Sequence, residues 1–194
     1  MNRISLAEIA HQRLASCLQP GDAVIDATLG NGHDAWFLAQ CIGPSGHLFG
    51  FDVQPAALTN SRQRLETLNQ LPAISLFLNS HAEMLVQIPA VYQGRIKAIM
   101  FNLGYLPGAD KSLITQTDST LQALAAASQL LADGGMLTVM VYPGHAGGDQ
   151  EAAQVAAWAE QLDRQRFSVE QIRSQSDKAS APRLFVMAKL ADLL

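Results

Sequence analysis

Short apolar runs alternate with helical segments along most of this chain, and no other feature restricts the fold as strongly. Five apolar runs of strand length lie at residues 23–27, 47–52, 74–79, 96–101 and 136–142. Two more, at 167–172 and 184–189, follow each other without a helix between them. Strands that alternate with helices form a parallel sheet covered by helices on both faces. We therefore predict an α/β fold, with the last two strands forming an antiparallel edge.

The helical segments have the end signals that helices of globular proteins use. Pro55 falls in a first turn, where its missing N–H costs nothing, and Asp149 can cap the helix that follows it. Neither a repeat nor a domain linker interrupts the pattern. The sequence thus predicts one domain over residues 1–194, with helices at 5–18, 34–42, 55–68, 119–132 and 149–162.

Composition excludes several classes of protein. The 194 residues are 48% hydrophobic and 15% charged, which is typical of a globular chain and not of a disordered one. Two cysteines are too few for a disulfide scaffold or a thiolate zinc cluster, and no apolar run approaches membrane-spanning length. We expect no metal, no membrane association and a cytoplasmic location. With a net charge of −4, any contact with nucleic acid must come from a local basic patch.

The sharpest local signal is the segment from Asp26 to Asp34, which leaves a predicted strand and enters a predicted helix. Gly30 and Gly32 permit a tight turn and a close ligand approach. Twenty residues after Gly32, Asp52 ends the next strand, where a carboxylate can accept both hydroxyls of a ribose. A capped turn without a ligand is the alternative. The spacing favours a site for a nucleotide-like cofactor.

Two cofactors fit this segment. Gly30, Gly32 and Ala35 match the dinucleotide pattern, so NAD is one candidate. Asp26 at the mouth of the loop would oppose a pyrophosphate but favour the ammonium of a methionine moiety, and Asp34 adds a second carboxylate. Since a polar loop beginning at Asn102 also follows the fourth strand, we favour S-adenosylmethionine.

Five motifs together resemble one known family. The chain is similar to small bacterial S-adenosylmethionine-dependent methyltransferases, labelled rRNA methylases, in its segments 26–34 (DATLGNGHD), 50–54 (GFDVQ), 79–83 (NSHAE), 101–108 (FNLGYLPG) and 142–148 (YPGHAGG). The resemblance implies the class I, Rossmann-like methyltransferase fold with a seven-stranded sheet. It also implies methylation of the exocyclic amine of 5-aminomethyl-(2-thio)uridine at the tRNA wobble position, and thus a role in tRNA modification and processing.

The resemblance also assigns cofactor-binding residues. The glycine-rich segment would surround the methionine end of the cofactor, and Asp52 would hold the ribose with Gln54 beside it. Ser80 and His81 would border the adenine, although Ser80 could equally cap the next helical turn. The implied set is Asp26, Thr28, Gly30, Asn31, Gly32, Asp52, Gln54, Ser80 and His81.

The acceptor site is implied to lie at residues 102–107. The side-chain oxygen of Asn102 and the carbonyl of Leu103 can accept hydrogen bonds from a target amine, while Tyr105 can stack on a flipped-out base. Tyr142 would form a second wall, and His145 could accept a proton from the amine. Alternatively, Tyr105 and Tyr142 are packed aromatic residues without a role in binding, and His145 is a solvent-exposed histidine. The loop lacks the two prolines that amine methyltransferases often carry here.

The positions of the two cysteines bear on which atom of the substrate accepts the methyl group. Methylation at a pyrimidine ring carbon generally needs a thiolate nucleophile, and neither Cys17 nor Cys41 follows an acceptor-site strand. Transfer to nitrogen or oxygen is therefore favoured.

The expected macromolecular partner is the tRNA anticodon loop, which a homodimer could engage with a wider surface. Basic residues that could touch its phosphates are Lys111, Arg164, Arg166, Arg173, Lys178 and Arg183. Three other functions remain open: methylation of rRNA or of another amine, a non-catalytic RNA- or nucleotide-binding module, and NAD-dependent oxidoreduction.

Overall fold

A computed structural model describes residues 4–104, 117–144, 147–174 and 178–191. Seven strands form one sheet in the order β3-β2-β1-β4-β5-β7-β6. All neighbouring strands pair in parallel except β7, which is antiparallel to both β5 and β6. The predicted sheet and its antiparallel edge are therefore confirmed. The strands are β1 (Ala23–Asp26), β2 (His47–Asp52), β3 (Ala73–Leu78), β4 (Ile96–Asn102), β5 (Leu131–Val141), β6 (Phe167–Arg173) and β7 (Arg183–Lys189).

Six α-helices of the described residues flank this sheet, and five of them lie where the sequence predicts. The sequence analysis offered a helical turn capped by Ser80 as an alternative but did not predict α4: a 3₁₀ turn at His81–Glu83 leads into this one-turn helix. This segment is too short to show helical periodicity. The helices are α1 (Leu6–Ala15), α2 (His33–Ile42), α3 (Pro55–Leu65), α4 (Met84–Gln87), α5 (Thr117–Leu130) and α6 (Gly148–Gln161).

Several predicted element ends are wrong. α1 ends at Ala15 and α3 at Leu65, each three residues before the predicted end, and β5 begins at Leu131 and not at residue 136. Gly147, not Asp149, is the N-cap of α6; the Oδ1 of Asp149 instead accepts the Gly144 N–H at 3.1 Å. The helix predicted to reach residue 132 ends at Leu130, because Leu131 already pairs with Ile96 of β4 across an irregular register. Tertiary pairing overrides the local helical preference at this point.

An apolar layer fills each side of the sheet. Phe49, Phe51 and Phe101 pack toward α5 and α6, whereas Leu14 of α1 and Leu38 of α2 pack on the opposite face. Since both faces are covered, the central strands read as continuous apolar runs and not as alternating ones. β1, for example, is buried at all four positions.

The strand order places a crevice at the carboxyl ends of β1 and β4. The chain proceeds outward from β1 to β2 and β3, then returns to the other side of β1 to form β4. In open α/β sheets, ligands bind where the strand order reverses in this way. Within the described ranges, no helix is long and apolar enough to cross a membrane.

Candidate active site

The loop between β1 and α2 forms one wall of this crevice, and backbone hydrogen bonds fix its path. The N–H of Ala27 donates to the Met100 carbonyl at 2.8 Å, and the N–H of Leu29 donates to the Phe51 carbonyl at 3.0 Å. The loop is therefore tied to both neighbouring strands. Gly30 then turns with a positive φ of 51°.

Gly32 is required where the loop packs on α3. Its φ is +73°, and a Cβ placed on it would lie 2.7 Å from the Cα of Ser61. Ser61 is itself fully buried in α3. The close approach, together with the left-handed backbone, leaves room only for glycine.

Gly32→Ala should therefore lower stability more than a positive φ alone does. Gly94 is a matched control, because its φ is +69° and nothing lies within 4 Å of its Cβ position. We expect Gly94→Ala to cost about 1 kcal/mol and Gly32→Ala about 1–3 kcal/mol more, measured by urea unfolding. Equal losses for the two variants would show that the contact with Ser61 is not tight.

Asn31 is held by α3 through two contacts that the sequence analysis missed. Its Oδ1 accepts the Asn60 side-chain amide at 3.1 Å, and its backbone carbonyl accepts Nε of Arg64 at 2.7 Å. The i, i+4 spacing of Asn60 and Arg64 on one helix face was the available signal. These contacts preset the shape of the predicted methionine-binding loop.

Asp52 occupies the predicted ribose position at the end of β2. Its Oδ2 accepts the Gly30 N–H at 3.0 Å, and its Oδ1 accepts the Gln54 N–H at 2.9 Å. A carboxylate has about four lone-pair sites, so each oxygen keeps capacity for a hydroxyl donor. The structure thus brings Gly30, Asp52 and Gln54 together. Contact of these residues with a ribose stays a prediction.

Asp26 lies deeper than the sequence suggests, because its side chain is fully buried beneath the loop. Oδ1 accepts the Thr28 N–H at 3.0 Å, while Oδ2 has no hydrogen-bond partner among the described residues. Burial raises the pKa of Asp26 well above its ordinary value, and the charges of Asp34 and Asp52 raise it further. Direct contact with the cofactor ammonium stays a prediction.

Ser80 and His81 follow β3 at the carboxyl edge of the sheet. Ser80 caps the 3₁₀ turn, its hydroxyl accepting the Ala82 N–H at 3.2 Å. His81 is buried and donates from Nδ1 to the Ala27 carbonyl at 3.2 Å, which leaves Nε2 without a partner in the described chain. Since burial lowers the pKa of His81, its ring stays neutral and presents an acceptor nitrogen. Whether either residue touches adenine stays a prediction.

The opposite wall of the crevice carries a chain of four polar side chains. Tyr142 donates its O–H to Oδ1 of Asn102 at 2.9 Å, and Nδ2 of Asn102 lies 3.4 Å from Oδ2 of Asp34. Asp34 accepts Nε2–H of His11 at 2.7 Å. The His11 ring stacks on Phe37 with 3.9 Å between centroids. Sequence reasoning missed His11 and did not connect Asp34 with Asn102.

This chain sets the orientation of the Asn102 amide. A carboxylate only accepts hydrogen bonds, so Asp34 must face the NH₂ group of Asn102. The carbonyl oxygen of Asn102 therefore points the other way, toward Tyr142 and the predicted acceptor position. Burial and the Asp34 charge raise the pKa of Tyr142, which keeps its hydroxyl a donor.

Thr28 and Leu103 have structural contacts in addition to their predicted roles. The Thr28 hydroxyl accepts the Asn102 backbone N–H at 2.7 Å and so joins the two loops. Leu103 is fully buried, and its N–H donates to the Met140 carbonyl at 2.9 Å. Tyr105 and His145 lie outside the described residues. The described ranges hold no cluster of three or more side chains suited to a metal ion.

Comparison with known proteins identifies a family. The family model "Putative rRNA methylase" matches residues 48–188. A chloroplastic tRNA (mnm(5)s(2)U34)-methyltransferase from Arabidopsis thaliana is 36% identical over 168 residues, which are 82% of this chain but only 61% of that relative. The chain thus spans about three fifths of that protein's length.

Two solved structures share the whole fold. One, from Clostridium thermocellum, carries the description "putative rRNA-methylase"; it is 34% identical with a TM-score of 0.91, over 98% of this chain and 100% of that one. The other, from Streptococcus mutans, is described as "a putative methyltransferase" in complex with SAH. It is 35% identical with a TM-score of 0.85, over 96% of this chain and 99% of that one. The predicted family and the class I methyltransferase fold are both confirmed.

Proposed function

The chain belongs to the "Putative rRNA methylase" family, and we propose that it is a tRNA methyltransferase. It transfers a methyl group from S-adenosylmethionine to the exocyclic amine of 5-aminomethyl-(2-thio)uridine at the wobble position. The product is 5-methylaminomethyl-(2-thio)uridine. The tRNA-modifying activity named for the Arabidopsis relative supports this substrate. One observation carries the proposal furthest: the Asn102 amide, held between Asp34 and Tyr142, lies beside the glycine-rich loop.

The residues of the crevice fit S-adenosylmethionine. Asp52 keeps two acceptor positions for ribose hydroxyls while it holds Gly30 and Gln54. Asn31 and Gly32 shape the loop that would surround the methionine end, and Ser80 with His81 would border the adenine. The SAH complex of the Streptococcus mutans relative supports the same cofactor class. When bound, this cofactor supplies a methyl group on a sulfonium, which is an electrophile that requires no metal.

The protein's own residues orient the nucleophile. Methyl transfer is an in-line displacement, so the amine lone pair must point at the methyl carbon. Oδ1 of Asn102 and the Leu103 carbonyl would accept the two N–H groups of the neutral amine and so direct its lone pair. Tyr142, 36% exposed at the rim, would flank the base. Tyr105 would also stack on the base.

The amine must lose a proton before it attacks, because an alkylamine is mostly protonated at neutral pH. The carboxylate of Asp34 attracts the cationic form to the Asn102 side of the crevice. His145, which follows β5 in the sequence, would then serve as an auxiliary proton acceptor. Proton loss to solvent before docking is an alternative route.

Asp52→Ala should weaken SAH binding by roughly 1–3 kcal/mol, because hydrogen bonds to a charged acceptor are lost. Asp133→Ala is the matched control, since Asp133 is near the amino end of β5 on the opposite edge of the sheet. Isothermal titration calorimetry with SAH and with NAD measures both affinities. Tight NAD binding without SAH binding would instead favour an oxidoreductase.

A homodimer and a cytoplasmic location belong to the same proposal. A second copy of this 194-residue chain would widen the RNA-binding surface. Sedimentation with and without tRNA measures whether the protein is a dimer. The cytoplasmic location follows from the proposed substrate, because the enzyme must have access to the tRNA pool.

Methylation in vitro tests the proposed activity. The purified protein is incubated with labelled S-adenosylmethionine and tRNA that carries 5-aminomethyl-(2-thio)uridine. We expect one methyl group on the wobble uridine and none on tRNA that lacks the aminomethyl group. Label incorporated only into rRNA would favour an rRNA methyltransferase. No incorporation into either RNA would favour a non-catalytic RNA- or nucleotide-binding module.

A further inference from the structure

The strand topology sorts the basic residues of the C-terminal segment into two groups. β6 runs parallel to β5, because β7 is antiparallel to both. The last residue of β6, Arg173, and the first residue of β7, Arg183, therefore lie at the edge of the sheet where Asn102 ends β4. Arg164 and Arg166 precede β6 and lie at the opposite edge. The first pair, with Lys178 in the segment between β6 and β7, therefore lies at the edge that carries the predicted acceptor site, whereas the second pair does not.

Arg173 and Arg183 are direct cross-strand partners, and Arg183 also pairs with Val141 of β5. Like charges directly opposite each other destabilise a sheet. Within the described part of the chain, no carboxylate forms an ion pair with either guanidinium group. Two adjacent, unneutralised guanidinium groups form a receptor for an anion.

The segment before Arg183 packs directly on the loop that carries Tyr142. A Cβ placed on Gly144 would lie 2.4 Å from the Cβ of Ser180. With about 4.8 Å between neighbouring strands, Arg183 lies about 10 Å and Arg173 about 14 Å from Asn102 across the sheet. These spans suit the phosphates next to a nucleotide whose base occupies the acceptor site.

We infer that Arg173 and Arg183 bind the RNA backbone beside the target nucleotide, an inference that rests on the proposed tRNA substrate. Asn102 lies on the α2 side of the sheet, where it contacts Asp34. The arginines share strand faces with Val169 and Phe185, which pack on the α5–α6 side. The RNA strand must therefore cross the sheet edge over Tyr142. For a chain of net charge −4, such a local pair supplies attraction that the whole surface lacks.

The test compares the double variant Arg173→Gln/Arg183→Gln with the matched control Arg164→Gln/Arg166→Gln. We expect the first to raise KM for tRNA about 10- to 100-fold with kcat nearly unchanged, since uniform binding is lost. The slope of log affinity against log salt concentration should fall by about 1.4, or about 0.7 per lost single-strand phosphate contact. The control should keep the wild-type KM and slope. SAH affinity should be unchanged in both variants, and Tm should not fall in the Arg173/Arg183 variant, because the repulsion between the opposed arginines is removed.

Fluorescence anisotropy with an anticodon stem-loop RNA separates this inference from the proposed activity, because it requires no methyl transfer. If the wild-type protein methylates tRNA but the Arg173/Arg183 variant keeps its KM and salt slope, the phosphate site is wrong and the activity stands. Equal weakening by the control pair would mean diffuse charge attraction and would also overturn the inference. A wild-type protein that neither binds nor methylates RNA would overturn both.

Discussion

Asn102→Ala should lower kcat on the order of 100-fold or more while leaving the affinity for SAH nearly unchanged. The amide oxygen that we propose aligns the amine is removed, and misalignment is costly in a displacement that must be collinear with the leaving sulfur. The loop between β1 and α2 should keep its position, because the backbone N–H of Asn102 still donates to the Thr28 hydroxyl in the variant. Single-turnover methylation of tRNA, with SAH titration alongside, measures both quantities.

Asn69→Ala is the control for this substitution. Asn69 is exposed after the end of α3 and away from the crevice. The Asn69→Ala variant should retain the wild-type kcat. Near-normal turnover by the Asn102 variant would mean that the acceptor site lies on another loop.

Asp34→Asn should lower kcat about 10-fold or more although the side chain keeps its size. His11 would donate to the new amide oxygen, which turns the new NH₂ group toward Asn102. Asn102 would then rotate its own oxygen toward residue 34 and present NH₂ to Tyr142 and to the substrate. Placing a donor where an acceptor is needed costs about 1–3 kcal/mol. The measurement is kcat at saturating tRNA.

The exchange Asp34→Asn/Asn102→Asp is the sharper experiment. The new carboxylate at 102 offers an oxygen to the substrate and also accepts from residue 34, so most of the lost kcat should return. Asn102→Asp alone places two carboxylates about 3.4 Å apart, so its kcat should also fall below the wild-type value. A double variant no better than the single ones would mean that Asp34 does not orient residue 102.

The fold and half of the site could be predicted because both depend on patterns local in sequence. Alternating strands and helices fix the layers, and parallel strands bring their following loops to one edge. For that reason Asp52 contacts Gly30, and Asn102 contacts Thr28 in the loop after β1. The cap at Ser80 depends only on residues 80–82, and it too could be anticipated.

The remaining contacts depend on how helices pack, which local spacing does not encode. His11 precedes the first strand, and its contact with Asp34 follows from the docking of α1 against β5 and β7. Asn60, Ser61 and Arg64 meet the glycine-rich loop only because α3 lies beneath it. The burial of Asp26 follows likewise from the cover that the loop provides.

Nucleoside mass spectrometry of RNA from a strain lacking this protein tests the central claim most directly. The account predicts that 5-methylaminomethyl-(2-thio)uridine disappears from tRNA and that its aminomethyl precursor accumulates. The wild-type gene should restore the modification, and a gene encoding Asn102→Ala should not. An unchanged wobble-uridine profile, with a methylated nucleoside lost from rRNA instead, would contradict the account.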